Sequence, residues 1–234
     1  MILAAGRGER MRPLSDAMPK PLLRAGGKPL IVWQIEALAR AGYRDLVVNV
    51  SHGADALIAA LGTGEGLGVR IAWSREAVPL ETAGGIATAM PLLAPGPALI
   101  VSGDLWTRFD YASLTSEVHA LRADSARATG VHLVMVPNPT YHPRGDFSLV
   151  EGRVGLKASD RLTFGNIAVY DTALFRELPR GEKLELLPLF RHWIGLGIVT
   201  GQRYDGPWAN VGTPADLAAL DAALGDEARL SRTF

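Results

Sequence analysis

Strand-like and helix-like runs alternate over most of the chain, and this alternation constrains the fold more than any other feature. The apolar run 1–4 breaks at Ala5-Gly6, and 29–41 reads as a helix with Pro29 in its first turn and Gly42 as its stop. A β-branched strand follows at 46–50, then a helix at 54–61, a strand at 69–73 and a short helix at 86–93. Residues 98–102, Ala-Leu-Ile-Val-Ser, are continuously apolar, as in a strand buried on both faces. A helix at 111–122 and a strand at 131–136 complete the first part. Beyond it, 147–150 and 162–170, turning near Gly152, predict antiparallel strands; 188–196 predicts a helix and 199–204 a strand. Thr213-Pro214-Ala215-Asp216 has a capping hydroxyl, a proline at the first helical position and an acid in the first turn, and starts a helix running to about 224.

This order predicts an α/β protein: a Rossmann-like single domain with a mostly parallel central sheet, helices on both faces and an antiparallel extension. The 234 residues, 48% of them hydrophobic, suffice for one large domain and would leave two cramped. No linker, low-complexity segment or internal repeat interrupts them. Lys+Arg and Asp+Glu both number 24, so the basic excess of a nucleic-acid binder is missing and any polyanion site must be a local cluster. The absence of cysteine excludes a disulfide framework and thiol chemistry. The N-terminus lacks the basic start and apolar core of a signal peptide, and no apolar run approaches the roughly 18 residues of a membrane span. The expectation is a soluble, cytoplasmic protein without a membrane partner.

A local cationic cluster is present. The first strand runs into Ala5-Gly6-Arg7-Gly8-Glu9-Arg10-Met11-Arg12-Pro13-Leu14, with Pro19-Lys20-Pro21-Leu22-Leu23 just beyond. Glycines let backbone N–H groups approach an anion, and Arg7, Arg10, Arg12 and Lys20 supply positive charge. By itself Gly-x-Gly marks a solvated surface loop as readily as a phosphate cradle. A dinucleotide-binding loop would need a small residue at Met11 and no Pro13; a Walker loop would need Gly-Lys-Ser/Thr, which is absent.

The combined pattern Leu-Ala-Ala-Gly-x-Gly-x-Arg-x-x-Pro-Leu and Pro-Lys-Pro-Leu-Leu resembles the sugar-1-phosphate nucleotidyltransferases. The order of the later elements also matches, so the resemblance covers nearly the whole chain. It implies the nucleotide-diphospho-sugar transferase fold, with a nucleotide-binding half over about 1–110 and a sugar-binding half over about 111–234. It also implies Mg²⁺ as cofactor, and a nucleoside triphosphate and a sugar 1-phosphate as substrates. Ala5, Gly6, Gly8, Glu9, Arg10 and Lys20 would bind the nucleotide, with Arg10 and Lys20 as the catalytic cations. Relatives often carry a few residues before the first strand, which leaves open whether the start is trimmed.

Asp104, in Ser102-Gly103-Asp104-Leu105-Trp106, follows the buried run, where a carboxylate is either a turn or cap residue or faces the ligand crevice. Gly-Asp-x-Trp resembles the family's first metal motif, so Asp104 is implied as a Mg²⁺ ligand. Trp208-Ala209-Asn210-Val211-Gly212-Thr213 resembles the second, Trp-x-Asp-x-Gly-Thr, with Asn210 in place of the aspartate. An amide oxygen can coordinate but brings no charge, so weaker Mg²⁺ binding is expected, whether the asparagine is natural drift or a deliberate substitution. A catalytically impaired nucleotide-sugar binding protein is the alternative it leaves open. Glu81-Thr82-Ala83-Gly84-Gly85-Ile86 reads as a glycine turn opening a helix and resembles the segment contacting nucleobase and ribose, which implies Thr82 and Gly84. The stiff segment 137–147 is either a connecting loop or a sugar contact. Its Asn-Pro-x-x-His-x-x-Gly-Asp-Phe resembles the subgroup specific for N-acetylmuramic acid 1-phosphate, which uses UTP, in cell-wall (peptidoglycan) sugar recycling. That implies Asn138, Gly145 and Asp146 at the sugar, with Asn166 on another sugar-facing strand. Mannose-1-phosphate guanylyltransferase and glucose-1-phosphate thymidylyltransferase share the first motif and remain alternatives. His52, His119, His132 and His192 show no metal spacing and read as structural or surface residues.

Overall fold

The computed structural model describes residues 1–118, 130–157 and 159–230. The predicted helix over 111–122 lies in part outside them, as does His119. Residues 111–114 form a 3₁₀ turn, capped where Asp110 Oδ1 accepts from the Ala112 N–H at 3.0 Å, and 115–118 are helical.

The described strands are β1 (Ile2–Leu3), β2 (Arg24–Ala25), β3 (Lys28–Pro29), β4 (Asp45–Val50), β5 (Arg70–Arg75), β6 (Pro97–Ser102) and β7 (Leu105–Thr107), then β8 (Val131–Val136), β9 (Phe147–Val150), β10 (Arg153–Gly155), β11 (Arg161–Asp171), β12 (Val199–Arg203) and β13 (Trp208–Asn210). Nine of them make one sheet in the order β5-β4-β1-β6-β11-β8-β12-β10-β9. The β5-β4-β1-β6 half is parallel, with Ile2 in register with Val48 on one side and Val101 on the other. From β11 onward the pairings are antiparallel except β12 with β8. The predicted mixture of a parallel half and an antiparallel extension is therefore observed.

Alternation along β6 shows how the sheet is covered. Leu99 and Val101 point to a core shared with Ile31, Ile35 and Leu38 of the Leu30–Arg40 helix, whereas Ile100 points to a core with Ile86, Phe190 and Trp193. A continuous apolar run is what a strand needs when both faces are covered by helices. A third, smaller core gathers Met11, Leu23, Leu30 and Trp106 with Leu217, Leu220 and Leu224 of the Pro214–Leu230 helix. Met11, completely buried there, anchors the glycine loop to the body.

The helix expected at 86–93 instead spans Glu81–Ala89, followed by a 3₁₀ turn at Met90–Leu92. Gly84 and Gly85 lie inside it rather than in a turn before it. Each glycine disfavours a helix by about 1 kcal/mol relative to alanine. Close packing overrides that here: a Cβ on Gly84 would stand 2.2 Å from the Glu182 carbonyl oxygen. Tertiary contact thus decides a boundary that local composition misplaces.

Candidate active site

The glycine loop leaves β1 at the carboxyl ends of the parallel strands, the end at which open α/β sheets bind ligands. Gly8 adopts a left-handed conformation at φ 65°, and a Cβ there would press on the Lys20 side chain at 3.1 Å. The Ser15 hydroxyl donates to the Gly8 carbonyl at 2.8 Å and closes the loop on itself. A cavity of ≈ 950 Å³ opens over it, lined by Ala5, Gly6, Gly8, Glu9, Arg10, Lys20 and Asp104, and by Thr82. Lys20 Nζ lies 2.5 Å from Asp104 Oδ2, with both side chains largely shielded from solvent. The Arg10 guanidinium comes near Gly212, where a Cβ would stand 3.6 Å away.

Asp104 and Asn210 are far apart in sequence and are brought to the same end of the β7–β13 ribbon, a pairing not foreseen from the sequence. Leu105 faces Asn210 in this antiparallel pair, and the Val211 N–H donates to the Asp104 carbonyl at 3.1 Å. The ribbon is fixed beyond its far side by Asp216, whose Oδ2 accepts from the Gly212 N–H, the Thr213 N–H and the Thr213 hydroxyl. Among the described residues no group of three or more His, Asp or Glu side chains forms a metal centre. One carboxylate and one amide oxygen are a donor set that suits Mg²⁺ only when phosphate oxygens complete its shell, which is how Mg²⁺ is commonly held.

A second cavity of ≈ 470 Å³ adjoins the first, sharing Leu3, Glu81, Thr82 and Ser102 with it. Asp146, Asn166 and Asn210 line it, with Phe147, Phe164 and Trp208 as apolar walls. Asp146 Oδ2 accepts from the Phe164 N–H at 2.8 Å, and Oδ1 lies 3.1 Å from His142 Nε2. Asn166 sits at φ 57° in the register shift of β11 between Phe164 and Ala168, so a bulge aims its side chain.

Three residues expected at the ligands are engaged within the protein. Gly84 lines neither cavity; it lets the 182–184 segment reach the helix, and Leu184 O accepts from the Ala83 and Gly84 N–H groups at 3.1 and 3.2 Å. Those donors of the helix start are thereby spent within the protein. Asn138 lines neither cavity: its Nδ2 donates to Arg161 O at 2.9 Å and its Oδ1 accepts from the Thr163 hydroxyl at 2.9 Å, stitching the 137–147 segment to β11. Gly145 turns that segment at φ 59°, where a Cβ would stand 2.6 Å from Asn138 Oδ1.

Other site residues escaped the sequence reading. Asn49 and Glu76 line the first cavity, and both are buried polar groups. Burial pushes the Glu76 carboxyl above its ordinary value, against hydrogen bonds from Asn49 and Leu80 that pull it down. Lys183 lines the same cavity and pairs with Glu81 at 3.4 Å. Tyr141 lines the second; partial burial and then the Asp216 carboxylate push its pKa up, while a hydrogen bond from Asn210 pulls it down. The position of Asn49 at the end of a predicted parallel strand was the one available signal; Glu76, Lys183 and Tyr141 carry none without the fold.

The nucleotidyl transferase family matches residues 1–141. An N-acetylmuramate alpha-1-phosphate uridylyltransferase from Neisseria meningitidis serogroup B is 41% identical over 229 residues, covering 96% of this chain and 97% of that protein. A protein of the same name from Caulobacter vibrioides is 33% identical over 97% of this chain and 96% of its own length. A mannose-1-phosphate guanyltransferase from Schizosaccharomyces pombe is 32% identical, over 92% of this chain but 61% of that protein. Among solved structures, a Bacillus anthracis protein crystallised with a sucrose superposes with TM-score 0.81 at 19% identity, over 95% of this chain and 93% of its own. HddC from Yersinia pseudotuberculosis, complexed with GMP-PN, gives TM-score 0.75 at 18% identity, over 95% and 97%. The chain belongs to the nucleotidyl transferase family, among its sugar-1-phosphate nucleotidyltransferases. Its fold is that of the structural neighbours. No helix of the described residues is long and apolar enough to cross a membrane.

Proposed function

We propose that this protein is an N-acetylmuramate α-1-phosphate uridylyltransferase of the cytoplasm, serving the recycling of cell-wall sugars. The observation that carries the reading is a pair of abutting cavities, one floored by a glycine loop that carries Arg7, Arg10 and Lys20 and one walled by aromatic rings, with Asp104 and Asn210 on their walls. Similarity along the full length of the Neisseria and Caulobacter relatives supports uridylyl transfer to this sugar over the guanylyl and thymidylyl alternatives.

UTP lies with its phosphates on the glycine loop, and the sugar 1-phosphate enters from the second cavity. A phosphate oxygen of the sugar attacks the α-phosphorus, the bond from that phosphorus to the bridging oxygen breaks, and pyrophosphate leaves. Arg10 and Lys20 neutralise charge on the phosphates, and no general base is needed because a phosphate monoester is already anionic. Lys20 exchanges part of its bond with Asp104 for phosphate oxygens. Asp104 and Asn210 would hold Mg²⁺, which supplies further charge neutralisation on the phosphate oxygens. Asp146 and Asn166 offer hydrogen-bonding groups to the sugar, and the aromatic walls exclude water.

A pyrophosphate-release screen of four nucleoside triphosphates against a panel of sugar 1-phosphates tests the reading. UTP with N-acetylmuramate 1-phosphate is expected to lead. A tenfold or greater preference for GTP with mannose 1-phosphate would overturn the substrate assignment and leave the family intact.

A further inference from the structure

A buried polar chain crosses the floor of the first cavity, and its two side chains, Asn49 and Glu76, lie outside the family motifs. Asn49 is the penultimate residue of β4 and Glu76 follows β5, and they are 3% and 6% exposed. Asn49 Oδ1 accepts from the Ala4 N–H at 2.8 Å, and Asn49 Nδ2 donates to Glu76 Oε1 at 2.6 Å. Glu76 Oε2 accepts from the Leu80 N–H at 3.0 Å. Three separate stretches are joined: the residue entering the glycine loop, the end of β4, and the turn leading into the Glu81–Ala89 helix. Gly85 of that helix makes room, because a Cβ there would stand 2.7 Å from Asn49 Nδ2 and 2.8 Å from Glu76 Oε1. Burying a carboxylate in this place is costly, and apolar side chains would fill the space more cheaply. Neither Asn49 nor Glu76 has a role in the transfer derived above.

Their place in the cavity suggests one. Arg10, Lys20 and Asp104 fix the phosphate end beside the glycine loop, so the nucleoside must extend toward Asn49, Glu76, Val78, Pro79 and Leu80. We infer that Asn49 and Glu76 form a positioning brace that holds the nucleoside wall in register with the phosphate-binding loop, resting on the reading of this cavity as the nucleotide site. The brace sets affinity for the triphosphate and leaves both the chemical step and sugar binding to other residues. Its donor and acceptor order has one sense: a backbone N–H at each end, and an amide facing a carboxylate between them.

That order supplies the test. In Glu76→Gln the new amide nitrogen faces either Asn49 Nδ2 or the Leu80 N–H, so donor meets donor whichever way it flips. In Asn49→Asp/Glu76→Gln the carboxylate moves to position 49, still accepts from Ala4, and now accepts from the amide at position 76, whose oxygen accepts from Leu80. The KM values for triphosphate and sugar 1-phosphate, kcat and Tm are measured for wild type and both variants. In Glu76→Gln the triphosphate KM should rise roughly tenfold or more. The sugar 1-phosphate KM and kcat should stay within about threefold, and the double variant should bring the triphosphate KM back within about threefold of wild type. An unchanged triphosphate KM in Glu76→Gln, an equal rise in both KM values, or a double variant that recovers neither KM nor folding would overturn the brace. Wild-type protein that turns over no triphosphate would sink the nucleotide reading itself, a result visible before any variant is compared.

Discussion

The two cavities lie side by side but are built in different ways. The first takes three of its four cations, Arg7, Arg10 and Lys20, from one short stretch draped over the ends of parallel strands and pinned by Met11. The second takes its shape from β11, its bulge, the Leu186–Gly195 helix and a segment stitched down by Asn138. Its ring walls are packed at long range, with Phe164 and Phe147 each edge-on to Phe190 at centroid distances of 5.4 and 5.5 Å. Polyanion recognition needs cations and backbone N–H groups close together, which neighbouring residues can supply. Sugar recognition needs a shaped hollow with a few aimed polar groups, which distant elements must enclose. Between the cavities, the Glu81–Ala89 helix contributes Glu81 and Thr82 to both.

The sharpest way to break this contrast is Lys20→Ala. The variant should lose about 10²-fold or more in kcat/KM, about 2.7 kcal/mol of transition-state stabilisation, with Tm nearly unchanged. Pyrophosphate-release kinetics alongside thermal melting check it, and near-normal turnover would remove Lys20 from the mechanism.

Gly84→Ala probes the shared helix. Alanine favours a helix by about 1 kcal/mol, yet its Cβ would meet the Glu182 carbonyl at 2.2 Å. Overpacking at about 1–3 kcal/mol wins, so Tm should fall by several degrees. An unaltered Tm with a raised UTP KM would return Gly84 to the nucleotide contacts.

Asn210→Asp adds a carboxylate to the second cavity, at the position proposed as the second Mg²⁺ ligand. Changes to residues that merely support metal ligands already shift affinity about 10- to 100-fold, so half-maximal activity should move to Mg²⁺ concentrations at least about tenfold lower. Superimposable Mg²⁺ titrations would show that position 210 is not a metal ligand. Asn166→Gly separates side chain from backbone in the second cavity. Glycine accepts the left-handed conformation as well as asparagine does, so stability should change by less than about 1 kcal/mol. Loss of the amide should raise the sugar 1-phosphate KM by roughly tenfold at constant UTP KM. A change in the UTP KM instead would erase the division between the two cavities.

The legibility of the site follows the same division. The glycine loop, Arg10, Lys20 and Asp104 were readable because a contiguous motif carries them, or because a buried run points directly at them. Asp146 and Asn166 were placed on the second cavity by family pattern. Asn138 and Gly145 were expected at the sugar on the same grounds, and they build the segment that bounds this cavity. Glu76, Lys183 and Tyr141 reach the site only through folding, so no spacing in the sequence announces them.

The amino-acid sequence determined the strand–helix order, the doubly covered strand β6 and the cationic glycine loop, because periodicity and short-range chemistry are properties of neighbours. Tertiary structure decided that the helix begins at Glu81 in spite of its glycines, that Asp104 and Asn210 stand at the same end of a two-stranded ribbon, and that Asn49 and Glu76 close a buried chain. Each of those depends on atoms brought together from distant parts of the chain, and a close approach or a paired donor and acceptor exists only once both sides are in place.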